Sequence, residues 1–504
     1  MNIRDVVIPS VLTVTLCWAV SSFFFSPSPD VDGPVRAGQS FEAVSAPQMC
    51  QPIKKEIDFY DVEQHEEEHE VVQGYHSSWT FTNKGAALEE LSFTRPNSVL
   101  TTLKPESGVI EREEKGFLLA FDVESPYDFE KVIQNEKACE NHLVYQTETS
   151  RAFVTKKYLV SKNSHSVEVE LSITPKDGAA IQPRLFMPAP WVGHLDSNKI
   201  QGVVLGDKKS LQQLDLAKKV NMIWASPEIF GLQNRYFIYS LVRDEDNFTQ
   251  RAYYKIGRPR DTAAIFEGPT ITEPTTWKMV FYCGPKEAES LNAVDTRLES
   301  VMNLGWFASL AKFVLLLLKY LYSYIGNYGW AIIILTMLIR FATWPFLQGS
   351  NKEMKRKEKE RSKKIAYLKQ RYKNQPERLA QEQMKVFKEY GFPGGKGLIG
   401  MLIQFPVFIA LNSALRNSIE LYQEPFLWIN DLSAPDPYKL LAILFAGVLF
   451  LMISKSAKTP QQYLAIGIVS MVAAAITANV QAGLLLFMTV SLLIGYIQTT
   501  LAKA

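Results

Sequence analysis

The sequence predicts a membrane protein that combines a large all-β domain with an α-helical bundle, and three observations lead to this fold class. Apolar runs long enough to cross a bilayer recur in the last third of the 504-residue chain. Short alternating segments, typical of β-strands, fill the more polar region before them. Residues 352–389 hold 14 Lys and Arg against 6 Asp and Glu, a net charge of +8 in a chain whose total is only +2. A purely soluble protein and a mainly disordered one are both excluded.

Residues 1–27 are expected to form a transmembrane anchor. Val6–Phe25 is an apolar run of about twenty residues, which matches a hydrocarbon layer of ~30 Å. Arg4 precedes it and favours a cytoplasmic N-terminus. Cleavage after Ser21 is the alternative, but a run that ends in three phenylalanines fits an uncleaved anchor better. The proline-rich residues 28–58 then form a flexible tether.

Residues 59–286 are expected to form an all-β sandwich of two packed antiparallel sheets. Period-two or β-branched segments occur there at high density, separated by turn residues. The five clearest are Trp79–Thr82, Phe117–Phe121, Ser166–Leu171, Arg251–Ile256 and Trp277–Tyr282.

No catalytic residue, cofactor or metal site is predicted. The six histidines lie in no metal or triad motif, and the four cysteines are too scattered to predict a disulfide framework. His65–His69 has the letters HEEEH, but the segment is acidic and lacks an apolar face, so we interpret it as a solvated strip.

Residues 287–327 are expected to hold connecting and interfacial helices. Trp306–Ile325 is apolar enough to cross the membrane, yet Lys312 and Lys319 lie a heptad apart and tyrosines follow, which favours a helix in the membrane interface. Topology gives an independent reason. If this helix crossed, the next span would carry the +8 segment to the outer side, against the positive-inside rule.

Residues 328–504 are expected to contain five membrane spans. The predicted spans are 328–346, 398–415, 440–453, 463–478 and 482–497. With a cytoplasmic N-terminus, this topology places the loop 416–439 outside and the C-terminus inside. Three of the spans have only 14 to 16 residues, and such short spans thin the surrounding bilayer.

The basic residues 352–390 are expected to form a cytoplasmic helical hairpin with a turn near Pro376. Its charge could contact anionic lipid or ribosomal RNA. A role confined to topology and solubility is equally compatible with the sequence.

Arg340 lies inside an apolar span, where its insertion costs about 2.5 to 3.5 kcal/mol. It either extends to cytoplasmic headgroups or faces a polar, water-filled pocket, and the pocket is favoured because Thr336 and Thr343 share its helical face. The five predicted spans contain no Asp or Glu to neutralise it. Gln404 and Asn412 offer further hydrogen-bonding groups, although either could be a helix contact.

Three motifs of the helical part are specific enough to indicate a family. They are Gly326–Thr336 (GNYGWAIIILT), Leu402–Leu411 (LIQFPVFIAL) and Pro425–Tyr438 (PFLWINDLSAPDPY). Together with Arg340 and the basic hairpin, they resemble the YidC-type membrane protein insertases of Gram-negative bacteria. The preceding domain is similar in position and size, with FYCGP at its exit.

The resemblance implies a protein of the bacterial inner membrane. Its parts would be a five-helix insertase core around a hydrophilic groove, an N-terminal signal anchor and a β-supersandwich domain in the periplasm. It implies an insertase and folding chaperone for nascent membrane proteins that works alone or with the Sec translocon. Ribosome contact would use the hairpin and the C-terminal region, and no small-molecule substrate is implied. Arg340, Thr336 and Gln404 match groove positions, to which we add Asn412.

The last span departs from the family pattern. Where the family has Phe-Pro-Ser-Gly and then paired tyrosines, this chain reads VQAGL at 480–484 and then Phe487-Met488. The phenol hydroxyls are therefore missing, which bears on substrate contacts of this span.

Two other classes of function predict features that the sequence lacks. A solute transporter or channel predicts inverted repeats and coupling carboxylates within the spans. A membrane-bound enzyme predicts a nucleophile or metal cluster facing one compartment.

Overall fold

The computed structural model divides the chain into two compact units, one ending at Asn303 and one that includes Leu304–Ala504. It describes residues 59–60, 65–94, 99–103, 115–122, 124–132, 142–191, 200–205, 211–216, 222–256, 262–302, 304–305, 307–372, 376–390, 397–455, 457 and 459–501, without the side chains of 345–359, 376, 387–390, 397–405, 499 and 501. The predicted anchor and tether lie outside the described residues.

The first unit is built from eighteen described strands, and every pair between them is antiparallel. The strands are β1 His69–Gly74, β2 Ser77–Thr82, β3 Ala87–Thr94, β4 Val99–Leu103, β5 Leu118–Ala120, β6 Glu130–Lys131, β7 His142–Glu148, β8 Ala152–Val160, β9 Ser166–Pro175, β10 Arg184–Pro188, β11 Gln201–Leu205, β12 Gln212–Asp215, β13 Ile223–Ala225, β14 Ile229–Gln233, β15 Phe237–Asp244, β16 Arg251–Lys255, β17 Ala263–Glu267 and β18 Thr275–Pro285.

These strands form three sheets. Their orders are β1-β2-β3-β4, β13-β16-β17-β10-β5 and β12-β11-β14-β15-β18-β9-β8-β7-β6. Each of the five predicted segments falls on a strand, but the expectation of two sheets was wrong. Periodicity tells which face of a strand is buried and not which strands pair, so it cannot count sheets.

The nine-stranded sheet supplies the core, because both smaller sheets pack against it. Alternate residues of β8 and β9 are buried while those between them are partly exposed. Phe281 of β18 lies 5.4 Å, ring to ring, from Phe266 of the five-stranded sheet, and Tyr158 of β8 lies 4.6 Å from Phe81 of the four-stranded sheet. Such aromatic pairs stabilise a core beyond their buried area.

A lysine occupies one inward position of β8. Lys156 is fully buried, and its Nζ donates to the carbonyl oxygens of Gly85 at 2.8 Å, Ala86 at 3.3 Å and Phe117 at 2.7 Å. The Phe129 ring centroid lies 5.3 Å from the same nitrogen. Burial lowers the pKa of Lys156 well below its ordinary value. The three carbonyl groups compensate for the lost water, since they match the three donors of an ammonium group.

The β unit continues beyond the boundary of 286 that the sequence predicted. Helix α1 (Ala288–Asn292) and a 3₁₀ turn (Thr296–Val301) follow β18. Leu291, Leu298 and Val301 are buried in one cluster with Ile238 and Val242 of β15. These helices therefore cover part of the nine-stranded sheet.

The second unit is helical. Its described helices are α2 Ala308–Ile325, α3 Tyr328–Arg371, α4 Pro376–Tyr390, α5 Gly397–Asn417, α6 Leu440–Ser454, α7 Pro460–Thr477 and α8 Ala482–Leu501, with a 3₁₀ turn at Ile419–Leu421. Helix α2 packs on α3 and α5, α4 on α3, α6 on α7 and α8, and α3 on α8. The five predicted spans each lie on a helix.

Helix α3 joins two features that the sequence treated separately. The predicted span 328–346 and the first arm of the hairpin form one continuous helix of 44 residues. Gly349 lies between them, but an internal glycine costs only about 1 kcal/mol and does not end a helix that is otherwise supported. The second arm, α4, begins at Pro376 and ends at Tyr390, as predicted.

Apolar side chains cover much of the outer surface of the helical unit. On α2, Ala311, Val314 and Leu318 are buried, while Leu316 and Tyr324 on other faces are exposed by 66% and 74%. Similar exposed residues on α3, α6 and α7 are Phe341, Ile443, Leu464, Ile468 and Met471. A soluble monomer rarely exposes so much apolar surface.

By length and composition, two helices of the described part can cross a membrane, Ala308–Ile325 and Pro460–Thr477, and three shorter apolar helices accompany them. Helix α2 is therefore long and apolar enough to span a membrane, while its sequence has the pattern of an interfacial helix. Its membrane position stays a prediction.

Candidate functional site around Arg340

Arg340 is held between two helices. It lies on α3, is partly buried, and its Nε donates a hydrogen bond of 2.8 Å to Oγ of Ser491 on α8. Ser491 is buried, with 5% of its surface exposed. Among the residues that the structure describes, Ser491 is the one hydrogen-bond partner of the Arg340 side chain. A guanidinium carries five N–H donors, so most of its capacity is unused.

Gly495 lies one turn beyond Ser491 and on the same face of α8. A Cβ atom built at this glycine would lie 4.0 Å from Nη1 of Arg340, which is an ordinary van der Waals distance. The glycine therefore borders the terminal nitrogens of the guanidinium and occupies none of the space beside them.

The two threonines on the face of Arg340 do not hydrogen-bond to its side chain. The Thr336 hydroxyl donates to the carbonyl of Ile332 at 2.6 Å, and the Thr343 hydroxyl donates to that of Ile339 at 2.9 Å. Thr336 is also fully buried. In this packing, Thr336 offers no exposed surface to a substrate.

The other two predicted groove residues lie on α5. Asn412 is buried, and its Oδ1 has no hydrogen-bond partner within the described structure. An unsatisfied buried acceptor is costly, so it is a position where an incoming polar group would be stabilised. Gln404 belongs to α5, but its side chain is outside the described part. Within the described residues, Asn412 does not hydrogen-bond to Arg340.

The loop between α5 and α6 covers the end of the helical unit at which α3 begins, which is the outer end in the predicted topology. Gly329 packs so tightly on Phe426 that an added Cβ would lie 2.0 Å from its ring. Trp330 meets the same ring edge-to-face at 5.6 Å, and Asn327 Nδ2 donates to the Pro425 carbonyl at 3.1 Å. Arg340 lies ten residues beyond Trp330, or ~15 Å along the helix axis.

The same loop also joins the start of α8. The amides of Ala482 and Gly483 donate to the carbonyls of Ala434 and Leu432 at 2.8 and 2.9 Å. Asp436, 2% exposed, accepts the Leu441 amide at 2.8 Å, one of the N–H groups that the first turn of α6 leaves without an intrahelical partner. These bonds fix the loop to the first residues of α6 and α8.

Lys319 of α2 forms an ion pair with Glu420 of this loop, with 2.9 Å between Nζ and Oε1. Burial favours the neutral carboxyl group, but the charge of Lys319 and hydrogen bonds from Ser418 and Lys319 outweigh it and lower the pKa of Glu420.

The two residues of α8 that stand where the family has paired tyrosines are buried or partly buried. Phe487 is 2% exposed, and Met488 is partly buried. Ser491, which sequence reasoning did not single out, is the residue of α8 that meets Arg340. Its only signal was a small polar residue within an apolar span.

The β unit holds a second group of ligand-type side chains, Glu67, His69 and Glu89, whose ligand atoms lie within 4.8 Å of one another. These side chains already have partners. Lys115 Nζ lies 3.1 Å from Glu67, and His69 Nδ1 lies 2.8 Å from Glu89. Residues 65–68 are exposed and not helical, so His65 and His69 do not form a zinc-binding helix.

An apolar helical unit with a partly buried arginine, preceded by a large antiparallel β unit, defines an α-helical membrane protein with a substantial extramembrane domain. Family models match both parts. The model described as 60Kd inner membrane protein matches residues 320–504, and that of the YidC periplasmic domain matches residues 121–317. The chain belongs to the YidC family, with a β-rich periplasmic domain and a helical core.

Named relatives agree with this placement. A membrane protein insertase YidC of Geobacter sp. (strain M21) is 33% identical over 256 residues, which are 49% of this chain and 46% of that protein. That of Geobacter sulfurreducens is 32% identical over 332 residues, 61% of this chain and 59% of that protein. The chain thus matches about half the length of these relatives.

A solved structure, described as an active YidC insertase with its first transmembrane domain resolved, covers 98% of this chain and 99% of its own. Its identity is 17% and its TM-score 0.37.

Proposed function

We propose that this protein is a membrane protein insertase and folding chaperone that moves nascent inner-membrane proteins into the lipid bilayer through a hydrophilic groove. The observation that carries the proposal is the Arg340 guanidinium, which lies within an apolar helical unit and, among the described residues, uses one of its five donors on a protein group. Uncompensated charge in such a place is costly and marks a functional site. The family and the named insertases support the same function.

The proposed groove contains Arg340, Thr336, Gln404 and Asn412, within a core of five membrane-spanning helices, and Thr336 and Asn412, both buried in this packing, become accessible only when those helices separate. The arginine attracts an acidic or polar segment of the client from the cytoplasmic side, and the folded outer loop limits its exit. The apolar part of the client then leaves sideways into lipid. No step requires covalent chemistry.

The proposed topology has a cytoplasmic N-terminal anchor in residues 1–27, a periplasmic β domain, α2 at the outer membrane surface and the basic hairpin in the cytoplasm. Partners are nascent membrane proteins and lipid, together with the ribosome through the hairpin and C-terminal region, and the Sec translocon.

Insertion by purified protein in proteoliposomes tests the function. The client is a single-span protein whose translocated tail carries two aspartates, and a matched client carries two asparagines. We expect Arg340→Ala to reduce insertion of the acidic client by roughly tenfold, the value of about 1.4 kcal/mol, and to affect the neutral client less. Arg340→Lys should retain part of the activity because it keeps the charge. Equal insertion by all three proteins would contradict the proposal.

Photocrosslinking tests the groove itself. A crosslinker at Thr343, partly buried and on the face of Arg340, should capture a stalled client. A crosslinker at Met471 of α7, which is 74% exposed, should capture mainly lipid. Lipid adducts alone at both positions would show that Arg340 does not lie in a client path.

Cysteine labelling tests the topology in a variant whose four cysteines are replaced. Lys369→Cys on α3 should react only with a cytoplasmic reagent, and Tyr438→Cys in the outer loop only with a periplasmic one. The reverse pattern would place α2 across the membrane.

A further inference from the structure

Within the part of the chain that the structure describes, the Arg340 guanidinium has one fixed edge and one open edge. The planar guanidinium can bind a carboxylate side-on, through Nε and one Nη, or end-on, through both Nη groups. Since Nε already donates to Ser491 at 2.8 Å, the side-on edge is blocked. The end-on edge is left for a ligand.

Ser491 is the polar group placed to fix this orientation. Thr336 and Thr343 direct their hydroxyls to backbone carbonyls of α3. Thr489, two residues before Ser491 and also buried, donates to the Leu485 carbonyl within α8 at 2.7 Å. Ser491 alone among these hydroxyl groups accepts from the arginine, across the packing of α3 on α8.

Gly495 adds a steric condition. A Cβ atom at this position would stand 4.0 Å from Nη1, so alanine fits, whereas a larger side chain would enter the space beside the open edge. A carboxylate that binds end-on needs that space.

We propose that Ser491 is a positioning residue that holds Arg340 by its Nε and turns both Nη groups toward an incoming client carboxylate, and that Gly495 keeps the approach to them open. This inference rests on the proposed insertase function and specifies how its charged site selects acidic segments. An arginine held in this way presents a bidentate fork, which a lysine cannot reproduce.

The test measures the ratio of acidic-client to neutral-client insertion in the same proteoliposomes, with the full chain. Ser491→Ala should lower this ratio by between about twofold and tenfold, the range for loss of one hydrogen bond. Ser491→Thr keeps the hydroxyl and should restore the ratio. Thr489→Val removes a buried hydroxyl that does not touch Arg340, and should leave the ratio unchanged.

Gly495 provides a graded pair of variants. Gly495→Ala should keep the wild-type ratio, while Gly495→Leu should lower it toward that of Arg340→Ala. A ratio for Gly495→Leu equal to that for Gly495→Ala would overturn the open-approach part of the proposal.

The outcomes separate this inference from the proposed function. If Arg340→Ala changes neither client, the function itself fails. If Arg340→Ala lowers the ratio but Ser491→Ala does not, only the positioning role of Ser491 is wrong. A nitrogen-15 spectrum gives a readout independent of insertion, because the Nε resonance that disappears in Arg340→Lys should shift in Ser491→Ala and return in Ser491→Thr.

Discussion

Lys156 and Arg340 are cations of the described structure that lie within apolar surroundings, and the protein treats them differently. Lys156 of the β unit donates to three backbone carbonyls, so each of its ammonium protons has a fixed acceptor. Arg340 of the helical unit donates to Ser491 through one of five N–H groups. The lysine is fully buried and the arginine partly buried.

The difference indicates how to distinguish a structural charge from a functional one. A buried cation whose donors are all used stabilises the fold and has nothing to offer a ligand. One with unused donors keeps a desolvation cost that a visiting acceptor can offset. The number of unused hydrogen-bond donors, more than the degree of burial, separates a structural charge from a functional one.

The strongest test of this comparison exchanges each cation for an apolar side chain of similar length. Lys156→Met leaves buried carbonyl groups without a donor, and we expect the free energy of unfolding to fall by about 3 kcal/mol or more. Arg340→Met should change stability little and reduce insertion strongly. Thermal unfolding of the full chain in detergent measures the first effect, and proteoliposome insertion the second.

Lys157→Met is the matched control, because Lys157 neighbours Lys156 but points to the other, more exposed face of β8. It should be nearly neutral. If Arg340→Met destabilised the protein as much as Lys156→Met, the distinction between the two cations would fail.

His165 of the β unit is an exception to this comparison, because it has unused hydrogen-bonding capacity although no ligand is proposed for it. Its Nδ1 is buried without a partner within the described structure, among the rings of Tyr75, Phe93 and Tyr282. Burial, with a smaller contribution from the charge of His76, lowers the pKa of His165 to about 4. Unused hydrogen-bonding capacity therefore also occurs where no ligand is proposed.

The sign of the resulting pH effect is fixed. As pH falls from 6.5 toward 4, the unfolded chain binds a proton that folded His165 does not, so stability decreases by up to about 3 kcal/mol. His165→Phe should remove this dependence and raise the urea midpoint at pH 5 more than at pH 7. His142→Phe, at a partly exposed position, serves as control. An unchanged pH slope in His165→Phe would mean that folding does not lower the pKa of His165.

The smallest effect is expected at a third cation, Lys319, which has an acidic partner. The pKa of Glu420 is lowered in the folded state, so the pair contributes stability above the ordinary carboxyl pKa and loses it as pH falls through the lowered value. Lys319 is about one-third exposed, which limits the contribution to below about 1 kcal/mol.

Glu420→Gln should therefore loosen α2 slightly at pH 7, and the difference from the unsubstituted protein should shrink as pH falls through the lowered pKa of Glu420. A spin label at Tyr324→Cys, which is exposed, reports the mobility of α2. Equal mobility of the two proteins at pH 7 would show that the ion pair does not hold this helix.

The local sequence pattern predicted the helices and strands better than it predicted which of them pair or join. Alternation located strands such as β9 and β18, and apolar length located the helices, because both depend on residues close in sequence. The pattern did not predict three sheets or the continuity of α3 through Gly349. Both depend on long-range pairing or on support from neighbouring elements.

The candidate site shows the same limit. Arg340 was predictable because a charge in an apolar span is conspicuous in sequence. Ser491 was not, since it lies 151 residues away and becomes significant only when α3 packs on α8. Lys156 carried a signal that reasoning passed over, because alternation in β8 places it on the same inward face as Val154 and Tyr158.

The length of α3 gives the molecule a lever. At 1.5 Å per residue, its 44 residues form a rod of ~66 Å, with Arg340 only ~18 Å from the outer end. If the rod pivots at Tyr328, where the outer loop holds it, a sideways movement of ~10 Å at Arg371 displaces Arg340 by ~3 Å. This displacement is about equal to the length of the hydrogen bond between Arg340 and Ser491. A force on the basic hairpin would therefore break that hydrogen bond.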